Sequence, residues 1–277
     1  MKDNNIDKNT IQSFGDEWSR MDQGLLSNDE KNQIFNDYFS MFPLNGIGKD
    51  ALGFDMGCGS GRWASIVAPM VKKLYCIDAS VDAINVAKNN LSCYGNIEYV
   101  ISSVNKTELK DKTFDFGYSL GVLHHLPDTV SALKSCSRLL KKNSPFLVYL
   151  YYSFDNKPFW YKLIWKVSEV IRKAVNKTPP SLKIIITNLI GVFVYFPLSR
   201  VSLVIEKLGL NVDNFPLSYY RDKSLYTMRT DSRDRFGTPL EKRFSKKDIK
   251  KMLELASFYN ISFSDSRPYW VALAYKK

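Results

Sequence analysis

At 277 residues, with 45% hydrophobic and 24% charged side chains, the chain is long enough to bury a sizeable core and too apolar to be disordered over most of its length. Thirty-nine Lys and Arg against 28 Asp and Glu leave a formal charge of +11, which favours an anionic partner: nucleic acid, a membrane surface, or a phosphorylated or carboxylated small molecule. Cys58, Cys76, Cys93 and Cys136 form no C-x-x-C pair, so neither a zinc site nor a disulfide framework is expected, and a reducing, cytoplasmic setting fits.

The N-terminal MKDNNIDKNT is polar, with no apolar stretch behind its Lys, so no secretory signal is expected. Residues 1–48 read as a helical segment in which Phe14 and Trp18 make an i, i+4 pair, suited either to packing on a core or to covering a ligand as a lid. Trp18 is therefore a candidate substrate contact. From 49 to 152, short apolar runs alternate with helical periodicity. Strands are expected at 51–56, 72–77, 97–101, 114–120 and 145–152, and helices over 62–70, from about 80 and over 128–140, the last capped by Asp128. This pattern predicts a doubly wound, mostly parallel α/β sheet.

After 152 the alternation stops. Residues 153–243 read as a helical cap insertion, rich in aromatic and basic side chains and broken at Pro158, Pro179-Pro180, Pro197 and Pro216. Between Lys183 and Arg200 lie sixteen uncharged, mostly apolar residues. That is short of the ~20 needed to span a bilayer, so a buried or membrane-touching helix is expected, and peripheral membrane contact stays open. The core pattern returns in 244–277: a helix over 245–258 opening on a Ser245/Asp248 capping box, then ISFSD and YWVALAY as a C-terminal reversed hairpin.

FDMGCGSGRW (54–63) sits where the first strand hands over to a helix and carries Gly57, Gly59 and Gly61. Glycines let a ligand lie against the backbone, and the helix amides behind the turn favour a polar or anionic group. Asp78 follows at the end of the second strand, where an acid accepts hydrogen bonds from two ribose hydroxyls in nucleoside-binding folds. Its alternative role is to cap the next helix. The third glycine comes one residue earlier than in the dinucleotide pattern, and Asp55 precedes the loop, which is awkward for a pyrophosphate and favourable for a ligand bearing an ammonium group.

These residues resemble the class I S-adenosylmethionine (SAM) dependent methyltransferases, in particular the small-molecule branch, with DMGCGSG matching the family's first motif and IDAS its second. The resemblance covers 50–152 and again 245–277, and implies a Rossmann-like fold and SAM as cofactor. By that resemblance Asp55 and the backbone of Gly57, Cys58, Gly59 and Gly61 face the methionine part of SAM, Asp78 the ribose and Ala79 the adenine. Ser103-Val104 stand where the family usually has Asp-Ala beside the adenine, a departure that exchanges a charged acceptor for a hydroxyl. Leu120 ends the fourth strand, in the segment that the family places at the methyl group.

YSLGVLHHLPDT (118–129) then holds the chain's two histidines. With an activated methyl donor the protein has to align the acceptor, exclude water and, for a hydroxyl, remove a proton. His124 is the expected base; His125 is expected to shape the loop. Two histidines and Asp128 are too few ligands for a metal, and none is expected. The N-P-P-[YF] and Pro-Cys signatures of base methylation are missing, which argues against nucleic acid, although a basic insertion binding RNA remains an alternative. Tyr152, Arg221 and Arg229, among aromatics at the two ends of the insertion, are candidate contacts to an anionic acceptor. The expected activity is SAM-dependent methylation of a small molecule, oxygen favoured, such as a glycan or secondary-metabolite precursor or a lipid-linked acceptor. The other alternative is a SAM-binding scaffold that docks a partner through the basic cap. The oligomeric state is left open.

Overall fold

In the computed structural model, residues 5–277 are described; residues 1–4, the start of the expected lid, lie outside them. Two compact units emerge. One holds the residues through Gly24 with Lys31–Ser153 and Leu240–Lys277, the other Leu25–Glu30 with Phe154–Pro239.

The first unit opens on α1 (Lys8–Arg20), capped by Asp7, whose Oδ1 accepts from the Thr10 amide at 2.7 Å. Then come α2 (Asn28–Phe39), which belongs to this unit from Lys31 onward, β1 (Leu52–Met56), α3 (Ala64–Val67), β2 (Lys73–Asp78), α4 (Val81–Asn90), β3 (Ile97–Ile101), β4 (Phe116–Leu120), α5 (Thr129–Leu139) and β5 (Pro145–Tyr149). The sheet order is β3-β2-β1-β4-β5-β7-β6. All neighbours among β1–β5 run parallel, and the C-terminal pair, β6 (Phe258–Phe263) and β7 (Val271–Lys276), closes the edge with β7 antiparallel to both β5 and β6. This is the mostly parallel sheet that the alternation predicted, with the Rossmann-like fold and reversed hairpin that the family resemblance implied.

Period-2 patterning builds a core on each face. Phe54, Met56, Phe146 and Val148 join one cluster with α5 and the helix before the hairpin, whereas Phe116, Tyr118 and Leu147 join the other with α2, α3 and α4. Asp55 is an exception that matters later: it points to the second face, in register with Cys76 and Tyr118 on the neighbouring central strands.

Boundaries shift where local chemistry overrides periodicity. The helix expected over 62–70 shortens to α3 and one 3₁₀ turn, Ala68–Met70, because Pro69 has no N–H to continue an α-helical ladder. The capping box at Ser245 and Asp248 forms, but its helix stops at Leu255; Ser257 turns left-handed, φ 64°, and β6 starts at Phe258.

The second unit contains α6 (Phe159–Asn176), α7 (Pro180–Ile190), α8 (Phe196–Lys207) and α9 (Leu225–Gly237). Pro197 does not break the chain's helical course: a π-turn, Gly191–Tyr195, carries α7 into α8, and Pro197 falls in the first turn of α8. A small core of Val175, Tyr195, Met228 and Phe236 is supplemented by buried polar contacts. Arg172, 5% exposed, donates to Glu169 at 2.6 Å and to the Thr238 carbonyl at 2.9 Å, and Arg235 shares Glu169 at 3.1 Å. Glu30, in the short segment that belongs to this unit, accepts from the Ser224 amide and the Thr227 hydroxyl.

The last helix of the first unit, α10, is Lys246–Leu255.

Candidate active site

β1 passes to α3 through a loop whose glycines are sterically required. Gly57 takes φ 83°, and a Cβ there would lie 2.4 Å from a Val122 methyl. Gly59 takes φ 52°, and its Cβ would meet the Trp18 indole at 2.9 Å. The amides of Gly57 and Cys58 both reach the Ile77 carbonyl, at 2.7 and 3.1 Å, and tie the loop to the end of β2. Asp78 completes the tie. Its Oδ2 accepts from the Gly59 amide at 3.0 Å and its Oδ1 from the Ser80 amide at 2.9 Å. Desolvation pushes the Asp78 carboxyl upward, opposed by backbone hydrogen bonds from Ser80, Gly59 and Ala79. The N-cap of α4 is Ser80, accepting from the Ala83 amide, so Asp78 does not cap that helix.

A cleft opens at the carboxyl ends of β1 and β4, where the strand order reverses and where open α/β sheets bind ligands. Its empty space, open mouth included, is about 970 Å³. Gly57, Cys58, Gly59, Asp78, Ala79, Ser103, Val104 and Leu120 line it, as does Trp18 from α1. Asp55 and Gly61 lie behind the lining; Gly61 gives room to Leu91, whose Cδ1 would sit 2.6 Å from an added Cβ.

Asp55 is 1% exposed, and its Oδ2 has no hydrogen-bond partner among the described residues. Burial pushes its carboxyl up to about 8; the Tyr118 hydroxyl works against this rise and Asp78 adds to it. A carboxyl held in a core face with an unsatisfied oxygen is an arrangement that a cation at the adjoining cleft would relieve. Met56, its neighbour, does line the cleft.

The histidines divide differently from the expectation. His124 is fully buried, does not line the cleft, stacks on Tyr151 at 3.9 Å, and neither ring nitrogen has a hydrogen-bond partner among the described residues. Desolvation first, then the neighbouring His125, Arg243 and Lys242, hold its pKa well below the usual imidazole range, so it is neutral near pH 7. His125 is on the cleft wall, edge-on to Phe14 at 4.9 Å. Its Nδ1 lies 2.6 Å from the Leu240 carbonyl, which can only accept, so Nδ1 carries a hydrogen and, in the neutral ring, the lone pair is on Nε2. The segment that fixes this tautomer is far away in sequence, and no local signal in LHHL ranks the second histidine above the first. One helical signal was available: Thr10, Phe14 and Trp18, spaced by four, all line the cleft from α1.

The candidate acceptor contacts are dispersed. Tyr152 bridges to Phe244 and packs on Tyr269, off the cleft lining. Arg221 and Arg229 belong to the second unit, where Arg221 Nε donates to Glu206 at 2.7 Å and Arg229 Nε to Asn188 at 3.1 Å. Among the described residues no cluster of three or more His, Cys, Asp or Glu is arranged to hold a metal.

Comparisons with known proteins agree with this geometry. Residues 54–148 match the family profile described as a methyltransferase domain. The ubiquinone biosynthesis O-methyltransferase of Vibrio cholerae is 28% identical over 143 residues, 50% of this chain and 57% of that protein. That of Aliivibrio fischeri is 31% identical over 100 residues, 35% of this chain and 42% of that one. The chain thus spans about half the length of the curated relatives it matches. Among solved structures, Haemonchus contortus phosphoethanolamine N-methyltransferase 2 superposes with a TM-score of 0.52 at 14% identity, covering 92% of this chain and 46% of that one. A chain of the complex between the Haloferax volcanii Trm112 methyltransferase activator and a methyltransferase superposes at 0.51 and 9% identity, covering 95% and 96%. At these identities the solved structures speak for the fold alone.

Proposed function

We propose that this chain, whose core is a class I SAM-dependent methyltransferase domain, transfers a methyl group from SAM to the oxygen of a small-molecule acceptor. The observation that carries the proposal is a single cleft with the glycine loop and Asp78 on one wall and His125, its tautomer set by Leu240, on another.

The residues present fit the cofactor. Asp55 offers a buried carboxyl with an unsatisfied oxygen that an ammonium would ionise, the Gly57–Gly59 backbone leaves room for close approach, and Asp78, held by backbone amides, keeps lone pairs for ribose hydroxyls. Ser103 and Val104 line the place where adenine would rest, with a hydroxyl in place of the family's carboxylate. When bound, SAM supplies a methyl group on a sulfonium, with a neutral thioether as leaving group. The protein contributes alignment, exclusion of water and a proton acceptor. His125 Nε2 would accept the proton of an acceptor hydroxyl brought to the cleft, and the Nδ1–H bond to the Leu240 carbonyl holds the imidazole in place. Trp18, packed on Gly59, and Phe14, packed on His125, close the α1 side of the cleft against solvent. Trp18, on the cleft lining, remains a proposed contact to the acceptor, whereas Tyr152, Arg221 and Arg229 do not line the cleft.

Two experiments test this. Calorimetry with S-adenosylhomocysteine should show binding that Asp78→Ala weakens by about a hundredfold, given the loss of two charge-assisted bonds at about 1.5 kcal/mol each. Preferential binding of NAD instead would overturn the cofactor. Incubation with methyl-labelled SAM and a small-molecule cell extract, read by mass spectrometry, should yield a labelled methyl ether or ester; label on nitrogen or carbon would refute O-methylation.

A further inference from the structure

The second unit turns its chemistry inside out. On an ordinary surface helix the apolar stripe faces the core and charges face water. On α6 the polar side chains Ser168, Glu169 and Arg172 are turned inward and bonded, while Leu163, Val167, Val170 (69% exposed) and Ile171 face outward. The next helical run repeats the pattern. α7 buries Thr187, α8 buries Ser199 and Ser202, and polar contacts dock the run on α9: the Ser232 hydroxyl donates to the Thr187 carbonyl at 2.8 Å and Arg229 to Asn188. Outward go Ile185, Leu189, Phe193 (71% exposed), Val201 and Val204. Apolar exposure on this many helical positions costs free energy in water and marks a surface that something covers.

The charge on the unit says what covers it. Residues 154–239 hold fourteen Lys and Arg against seven Asp and Glu, most of the chain's +11. Within α6–α8 the acids are Glu169 and Glu206, each in an ion pair with an arginine, and Lys166 and Lys173 are exposed beside the α6 stripe. Apolar side chains interspersed with cations match an anionic lipid surface, with the stripe in the acyl boundary and the lysines at headgroup level. A second copy of this chain would bring cations against cations. Among the described residues Pro180–Lys207 is long and apolar enough to cross a bilayer, but one side is committed to polar contacts with α9 and only sixteen residues separate Lys183 from Arg200.

We infer that the outward faces of α6, α7 and α8 form a peripheral docking surface for an anionic membrane. This goes beyond methyl transfer and stands without it, since a chain that binds vesicles but not S-adenosylhomocysteine would refute only the earlier proposal.

The test is flotation of the full chain with vesicles of equimolar phosphatidylglycerol and phosphatidylcholine, against vesicles of phosphatidylcholine alone, at low and high salt. The wild type should float with the anionic vesicles at low salt and be released at high salt. Val170→Asp with Phe193→Asp should lose at least tenfold in binding while retaining the wild-type melting temperature. Lys166→Glu with Lys173→Glu should weaken anionic binding by roughly tenfold, since each basic group near such a surface contributes several-fold, and should leave the phosphatidylcholine baseline unchanged. Absence of flotation at low salt would overturn the inference. So would retention after alkaline extraction, which means a span, or a dimer that V170D/F193D splits while vesicle binding stays absent.

Discussion

Replacing Asp55 by Asn should stabilise the ligand-free protein at alkaline pH and leave it unchanged in acid. In the folded chain burial raises this carboxyl from its ordinary 3.8 to about 8. Below pH 4 the group is protonated in both folded and unfolded states, so Asp and Asn are equivalent. Between 4 and 8 the unfolded chain gives up a proton that the folded chain retains, and stability falls by about 1.4 kcal/mol per pH unit. Above 8 the loss levels off at a ceiling on the order of 5 kcal/mol, reduced by any water that reaches the carboxylate. At roughly 2–4 °C per kcal/mol for a protein of this size, the melting temperature of D55N should exceed the wild type by about ten degrees at pH 8.5 and by none at pH 4. Differential scanning calorimetry across that range measures the gap. A gap independent of pH would refute the assignment of the titration to Asp55. The same carboxyl should lose its proton when a ligand ammonium arrives beside it. S-adenosylhomocysteine binding at pH 6.5 should therefore release close to one proton in the wild type and none in D55N, read from calorimetry in buffers of different ionisation enthalpy.

Other substitutions separate the two histidines and the two units. His125→Gln should lower kcat by about a hundredfold with S-adenosylhomocysteine affinity unchanged, as expected for removal of a general base. His124→Phe should leave turnover within about twofold, since the ring is outside the cleft. Its depressed pKa means that the wild type loses stability as pH falls through the unfolded value of 6.5; that acid-side loss should disappear in H124F, and a large drop in kcat would instead make His124 the base. Gly59→Ala, forced against Trp18 at a positive φ, should weaken S-adenosylhomocysteine binding at least tenfold by titration calorimetry. Arg172→Met should destabilise the second unit by about 2 kcal/mol by removing the bonds to Glu169 and to the Thr238 carbonyl, with Arg235 still paired to Glu169, detectable by hydrogen exchange confined to α6 and α9.

Much of the site is local in sequence, and that part is legible. The glycines and Asp78 lie within one strand–helix–strand unit whose geometry follows from alternation, positive φ and capping. Ser102 to Val104 reach the cleft because they follow β3, a position countable from the pattern. The helix ends were harder to place, since Pro69 and Ser257 act through a missing donor and a left-handed turn that periodicity does not register.

What the sequence determined by itself is therefore the succession of strands and helices and the cofactor loop, because local periodicity, turn chemistry and capping set them, even though the pairings that close the sheet, such as Asp55 with Tyr118 and Leu147 with Leu273, are distant in the chain. Tertiary structure decided which histidine faces the cleft. His124 and His125 are adjacent on one tight turn and both are buried, but the Leu240 carbonyl, from a distant segment, holds His125 at the cleft lining while His124 stacks on Tyr151 behind it. It also decided the direction of α6. An apolar stripe at helical spacing reads the same whether it faces a core or a solvent, and only the inward Arg172–Glu169–Arg235 network reveals that here it faces out.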